Sequence, residues 1–306
     1  MIFSRTLAPG QSCHVMTADI DTGDVRLVHT STDVLLEAPN WAVDDRLILN
    51  GDGVLWQLDS TGGSEPTPIP IDGVPELNND HVLAPDGTTV YLSANDGHLY
   101  AAPLVGGTAR RVTPDHGRRP HFLHGVSPDG RRLAYIGWDP DGDAGRQTPG
   151  VYTTAVDGTD DRRLTHDLAP ADGSEYSPDG EWIYFNTERF STEPGHAQIA
   201  RMRVDGTEVE QLTFDQRVNW FPHLAPDGGS AVYLSFPPGT VGHPADLVVE
   251  LRVVRDGDWA AARSIRELSG GQGTINVNSW APDGRRFAFV EYPFCPFVDD
   301  TQRMSA

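Results

Sequence analysis

Leu83-Ala84-Pro85-Asp86-Gly87 recurs as Val126-Ser127-Pro128-Asp129-Gly130, Tyr176-Ser177-Pro178-Asp179-Gly180, Leu224-Ala225-Pro226-Asp227-Gly228 and Trp280-Ala281-Pro282-Asp283-Gly284. A sixth, degenerate copy is Trp41-Ala42-Val43-Asp44-Asp45. Counting from the proline, with Val43 in its place, the spacings are 42, 43, 50, 48 and 56 residues. A period of that length is the span of one propeller blade. The motif is a chain reversal: proline presets φ at the second turn position, aspartate bonds back to the backbone, and glycine accepts a positive φ.

Each reversal is followed by a strand pattern such as Leu133-Ala134-Tyr135-Ile136 or Trp182-Ile183-Tyr184-Phe185, rich in residues that fit a pleated surface. Third strands and their turns follow, as in 151–158 and 199–206, and Arg163-Leu164-Thr165 and Gln211-Leu212-Thr213 close fourth strands. The sequence therefore predicts an all-β, six-bladed propeller over residues 1–306, with four antiparallel strands per blade and repeats starting near 39, 81, 124, 174, 222 and 278. After the last motif only one clear strand remains, 287–292, whereas 14–23 and 25–28 look like a third and fourth strand without a first. Residues 12–32 are thus expected to complete the last blade, removing the open edges of an unclosed stack. That closure makes Cys13 and Cys295 neighbours, as two free thiols or as a disulfide across the clasp.

Subtracting 44 acidic from 23 basic side chains leaves a charge of -21, which repels nucleic acid and anionic membranes. No window approaches the length of apolar run that spans a bilayer, and the first ten residues lack the core of a signal peptide. A cytoplasmic location is the expectation.

The repeated Ser/Ala-Pro-Asp-Gly with its following apolar strand, and the Asp-Gly and Leu-Thr further along, resembles the TolB-type propeller repeat over nearly the whole chain. TolB itself is exported and has an additional α/β domain, neither of which is expected here. Related blades occur in prolyl oligopeptidase-like enzymes, but no Gly-x-Ser-x-Gly elbow stands in this sequence. Similar blades also form oligogalacturonate lyases, whose propellers hold a divalent metal with histidines and a glutamine. That resemblance implies metal-assisted elimination on a uronate.

In a propeller the residues just before each reversal converge on one rim of the axial channel. Here they are polar: Asn40 and Trp41; Asn79, Asp80 and His81; His121 and His124; Ser174 and Glu175; Asn219, Trp220 and His223; Gln272, Asn276, Asn278 and Ser279. Loops from second to third strands add Glu188, Arg189 and His196, and then His243. The candidate metal sphere for manganese, zinc or iron is His81, His124, His223 and Gln272, with Glu175 as a further carboxylate. The candidate catalytic groups are His196, Arg189 and Glu175. Asn40, Trp41, Asn219, Trp220, Asn278 and His243 are the candidate ligand contacts, the indoles serving to stack on a sugar ring. Each set has a structural alternative, in which the polar groups satisfy one another along the channel and the two tryptophans fill space between blades. His81 and His124 stand four residues before their prolines, Glu175 and His223 three, so strand alternation separates the pairs unless a bulge intervenes.

Two functions follow as expectations. One is a carbohydrate-active enzyme, a metal-assisted lyase or a hydrolase, acting on a uronate-containing or other polar oligosaccharide. The other is a noncatalytic scaffold that accepts a peptide or protein at the channel mouth.

Overall fold

The computed structural model describes residues 5–115, 117–142 and 147–294. Cys295, and with it the question of a clasp disulfide, lies outside the described residues. Cys13 is fully buried and its thiol reaches the Leu36 carbonyl at 3.3 Å.

Six antiparallel blades stand in a ring. The innermost strands of the first five are Glu37–Trp41, Leu77–Leu83, His121–Val126, Ala171–Tyr176 and Val218–Leu224. In the fourth blade the order from the axis outward is Ala171–Tyr176, Trp182–Thr187, Gln198–Arg203 and Glu210–Gln211, and the others repeat it. Between the first two blades a short parallel pair, Ile71–Asp72 with Gly107–Thr108, adds one further contact. A single helical turn, Trp259–Ala261, lies between the last two strands of the fifth blade.

The turn chemistry is uniform. Gly87, Gly130, Gly180, Gly228 and Gly284 have φ of 69°, 70°, 73°, 70° and 68°. Each motif aspartate accepts from the backbone two residues on, as Asp86 does from Thr88 N at 2.7 Å and Asp179 from Glu181 N at 2.9 Å. The degenerate first copy makes the same turn, because Asp45 takes the glycine position at φ 65° and its N–H bonds to the Ala42 carbonyl. Aspartate is among the few residues that tolerate this region.

The sixth blade closes the ring. Cys13–Asp19 pairs with Arg286–Glu291 on one side and with Val25–Ser31 on the other, with Val15 opposite Val290 and Met16 opposite Phe289. Its innermost position is not a regular strand. Residues 274–280 are held there by a Trp280–Phe287 bridge and by bonds from Ala288 N to Ser279 O and Val290 N to Thr274 O. Asparagine side chains compete for the backbone in this stretch: Asn276 Oδ1 accepts from Gly273 N, and Asn278 Oδ1 from Trp280 N. Between blades the core is apolar, as where Phe236, Leu234 and Val232 pack in one cluster with Phe287 and Phe289. Each such side chain contributes about 1.5–3 kcal/mol on burial.

All five regular inner strands carry a register irregularity just before the reversal, between Glu37 and Asn40, Leu77 and His81, Leu123 and Gly125, Asp172 and Glu175, and Trp220 and His223. Ala38, Gly173 and Phe221 sit in three of them at φ of 51°, 64° and 55°. The bulge is therefore a repeated feature, and it turns residues on its two sides toward different surroundings.

Candidate functional site

The bulge sorts the rim residues into two layers. Three or four positions before the proline, side chains point into the channel and bond to each other. Glu175 Oε1 accepts from Leu224 N at 2.9 Å and from Asn278 Nδ2 at 2.7 Å, while Oε2 lies 2.6 Å from His223 Nδ1. His223 Nε2 is 2.5 Å from the Ile275 carbonyl. Asn40 Nδ2 donates to the Asn278 carbonyl at 2.6 Å. His81 Nε2 faces the Ile48 carbonyl at 3.2 Å, and burial lowers this imidazole to about 4.

Four to six positions before the proline, at the edge of the bulge or inside it, another set of residues opens on a cavity of about 250 Å³. Asn79, Phe122, Asp172 and Asn276 stand six before, Asp80 and Phe221 five before, and His124 four before. His243 and Gln272 enter from loops, and Trp138 from the end of the third blade's second strand. The volume lies just below the usual range of ligand pockets, about 300–1,000 Å³. Phe122 and Trp138 stack with centroids 5.6 Å apart and planes at 11°, making one wall. His243 packs on Trp220 at 4.4 Å and Phe221 at 5.1 Å, making another.

The polar groups form a coupled acid–base cluster. His124 Nε2 lies 3.0 Å from Asp172 Oδ1, and Nδ1 lies 3.1 Å from the Asn276 carbonyl. Burial opposes charge on His124, but the nearby Asp80 and Asp172 carboxylates and these hydrogen bonds outweigh it and lift the imidazole to about 9. Burial also opposes ionisation of Asp172, yet the bond to His124, the charges of both histidines and the Gly173 N–H hold its carboxyl below the usual range. Asp80 differs. Burial, with the like charge of Asp172, pushes it to about 7 against the pull of His124 and Asn276. His243, 3.9 Å from Asp172, is lowered by burial. Asn79 Nδ2 is buried without a hydrogen-bond partner within the protein, and the His243 ring stands against the Gln272 amide. Behind this cluster Glu37, lifted by burial to about 7, holds Arg5 at 2.7 Å, and Arg5 also donates to the Gln272 carbonyl.

Of the residues expected from sequence, the structure gathers His124, His243 and Gln272 at this cavity, with Trp220 as backing. The proposed metal sphere does not assemble. His81 and His223 lie in the deeper layer, the ring nitrogens of His124 and His223 are taken up by protein oxygens, and among the described residues no three His, Cys, Asp or Glu side chains are arranged to hold a metal ion. The proposed catalytic groups are also elsewhere. Arg189 is paired with Asp167 at 2.5 Å, and His196 bridges Ser191 Oγ and the Asp215 carbonyl, fastening one loop to the next blade. Glu175 is saturated by its three partners. Trp41 is buried between blades, its Nε1 donating to Asp45 and Arg286 lying over its ring at 4.9 Å. Asn219 bonds to Asp215 and Ser235, and Asn40 and Asn278 lock the axis. Asp172 and the aromatic wall are what sequence reasoning missed. The available signal was the count itself: residues five or six before the proline, joined by His124 at four, make the open layer.

No family model matches the chain. It is 38% identical over 279 residues to the uncharacterised protein Atu1656 of Agrobacterium fabrum, covering 90% of each. A solved structure from Agrobacterium tumefaciens assigned as TolB is 35% identical and superposes with a TM-score of 0.84, covering 92% of this chain and 99% of that one. An oligogalacturonate lyase in complex with manganese shares the fold at 15% identity and a TM-score of 0.55, over 88% of this chain and 75% of that one. The repeat, the closed six-bladed ring and these likenesses agree: the chain belongs to the TolB-like family of β-propellers.

Proposed function

We propose that the axial cavity is the binding site of a small, ring-bearing polar molecule of the saccharide type, and that its carboxylates and imidazole can exchange protons with that ligand. The observation that carries the reading is the pairing of a flat aromatic wall, Trp138 on Phe122, with two carboxyl groups driven apart by their surroundings. Such separation is how one cavity holds both an acid and a base near neutral pH. Asp80 keeps its proton to about pH 7 and is the group able to give it to a ligand oxygen. Asp172 stays ionised and orients His124. Asn79, with an unused donor, suits a hydroxyl of a sugar edge.

Metal-assisted elimination is not the chemistry these residues fit. The manganese-bound lyase shares the fold, but here the ring nitrogens of His124 and His223 are spent on protein oxygens, and among the described residues no arginine or lysine lines the cavity to receive a uronate carboxylate. A second reading, a noncatalytic scaffold for a basic peptide or protein, is favoured by the net charge of -21 and by the likeness to the TolB-assigned structure.

Calorimetric titration with a panel of neutral, amino and acidic monosaccharides and disaccharides tests the first reading. Saturable binding that disappears in Trp138→Ala is expected. Absence of binding across the panel, together with capture of a basic peptide by the wild-type protein, would transfer the assignment to the scaffold reading.

A further inference from the structure

The electrostatics of the cavity narrow its ligand further, an inference that rests on the pocket reading above. Among the described residues the lining carries two aspartates and two histidines but neither lysine nor arginine. Among the described lining residues His124 is the one cation, and its charge is already matched by Asp172 at 3.0 Å. Among the described residues Asp80 has no charged partner in hydrogen-bond contact: its backbone N–H bonds to Asn78 Oδ1, and its side chain rests against Asn276. Three aromatic faces, Phe122, Trp138 and Phe221, surround the same space, and aromatic faces attract organic cations. Asn79 Nδ2, on a side chain whose residue is only 6% exposed, lines the cavity without a protein partner, as expected where a ligand completes the set. Over the whole molecule the charge of -21 raises the local concentration of cations at a low-dielectric funnel and depletes anions.

We propose that the cavity selects a ring carrying an ammonium group, such as an amino sugar, with the ammonium placed against Asp80 and the ring face against Trp138. A neutral ring keeps the stacking contact but leaves Asp80 unmatched. An acidic ring meets two carboxyl groups and is rejected.

The proposal carries a proton linkage. The charged and titratable groups facing Asp80 are His124, Asp172 and, behind them, Glu37 with its Arg5, while His243 lies beyond Asp172. His124 remains charged to about pH 9, so the group that changes state near neutrality beside the ligand is Asp80, at about 7. A cation favours the ionised carboxylate, so binding strengthens as pH rises through that range and releases a proton.

The test uses the full-length protein and two matched series: glucosamine, glucose and glucuronate at one pH, and cyclohexylamine, cyclohexanol and cyclohexanecarboxylate from pH 5.5 to 7.5. Cyclohexylamine stays charged throughout that range. The expected order is amine, then alcohol, then acid in each series, with the amine bound about tenfold more weakly at pH 5.5 than at pH 7.5. Asp80→Asn is expected to weaken the amine about tenfold, to leave the alcohol within about twofold, and to abolish the pH dependence. Should that variant not fold, the buffer dependence of the wild-type binding heat reports the released proton directly. Glucose binding as tightly as glucosamine, or a pH-independent amine, would overturn the ammonium assignment while leaving the pocket reading in place. No binding by either series removes both.

Discussion

Glu175 Oε2 and His223 Nδ1 stand 2.6 Å apart across the boundary between the fourth and fifth blades, and the remaining atoms of the pair reach the sixth blade through Asn278 and the Ile275 carbonyl. Both side chains are buried, His223 fully and Glu175 to 5% exposure. This cluster ties three blades at the axis, so its effect is read in stability. Glu175→Ala leaves the His223 ring, the Leu224 N–H and the Asn278 amide unpaired together. Removing one partner of a buried pair costs about 3–5 kcal/mol. Urea denaturation is expected to show a loss of that size for Glu175→Ala and a similar one for His223→Ala. An unchanged midpoint in either variant would show that the axial cluster carries no stability.

Closure of the ring is a second mechanical claim. Cys13–Asp19 covers Phe287, Ala288, Phe289 and Val290, all fully buried. Without the first 31 residues the last strand becomes an apolar edge, and exposing two phenylalanines and a valine forfeits about 1.5–3 kcal/mol each. That sum is comparable with the whole stability of a typical domain, about 5–15 kcal/mol. A variant beginning at residue 32 is expected to lose its cooperative thermal transition or to aggregate. Circular dichroism melts and light scattering check it, and a cooperative melt at the wild-type temperature would show that the clasp is dispensable.

The fold was legible because each blade announces itself by a local device. Proline, aspartate and glycine act within five residues, and even the copy that lacks two of them makes the turn, since Asp45 tolerates the same φ. The axial convergence of Glu175, His223 and Asn278 was legible too, as a set of polar side chains at matched distances from the reversal. Their employment was not, because whether an imidazole is free depends on carbonyl groups such as those of Ile48 and Ile275, which carry no sequence signature. The same holds for Asp172. It stands next to Gly173, whose φ of 64° belongs to the bulge, and only the bulge turns that position to the cavity while the residues after it face the axis. His196 and Arg189 lie on a long loop at the expected rim but are fixed by Ser191, Asp215 and Asp167, partners supplied by neighbouring segments.

Stability should follow pH through identifiable buried groups. His124 rises to about 9 in the folded chain from an ordinary 6.5, so its contribution is complete below pH 6.5 and is lost as pH climbs toward 9. Asp80 and Glu37, both raised to about 7, also favour the folded state at low pH, whereas His81, lowered to about 4, and His243 penalise it below pH 6.5. Between about pH 4.5 and 6.5 the two acids and the two neutral histidines oppose one another, and the slope there is small. Above pH 6.5 His124 has no such opponent. At about 1.4 kcal/mol per pKa unit, stability is expected to fall by up to about 3 kcal/mol between pH 6.5 and 9. Urea midpoints across that range check the slope, and His124→Gln should flatten it; a wild-type profile that is level to pH 9 would show that His124 is not held charged.

The loop that brings Gln272 to the cavity depends on one glycine. Gly271 has φ 119°, and a Cβ there would lie 2.0 Å from the Pro244 carbonyl oxygen, on the segment that also carries His243. Gln272 N bonds to that same carbonyl at 3.2 Å. Alanine at 271 must therefore push the 243–244 segment and residue 272 apart, besides adopting a φ that costs about 1–3 kcal/mol. Both displaced segments line the cavity, so Gly271→Ala is expected to weaken ligand binding and lower the melting temperature together. Trp138→Ala provides the contrast. Its partly exposed indole stacks on Phe122 at the cavity, so its removal should abolish saccharide binding while shifting stability by less than about 1 kcal/mol. Binding titrations and thermal melts on the two variants separate a cavity deformed through its backbone from one stripped of its stacking face. If Gly271→Ala bound ligand as the wild type does, the Gln272 and His243 side would not belong to the site.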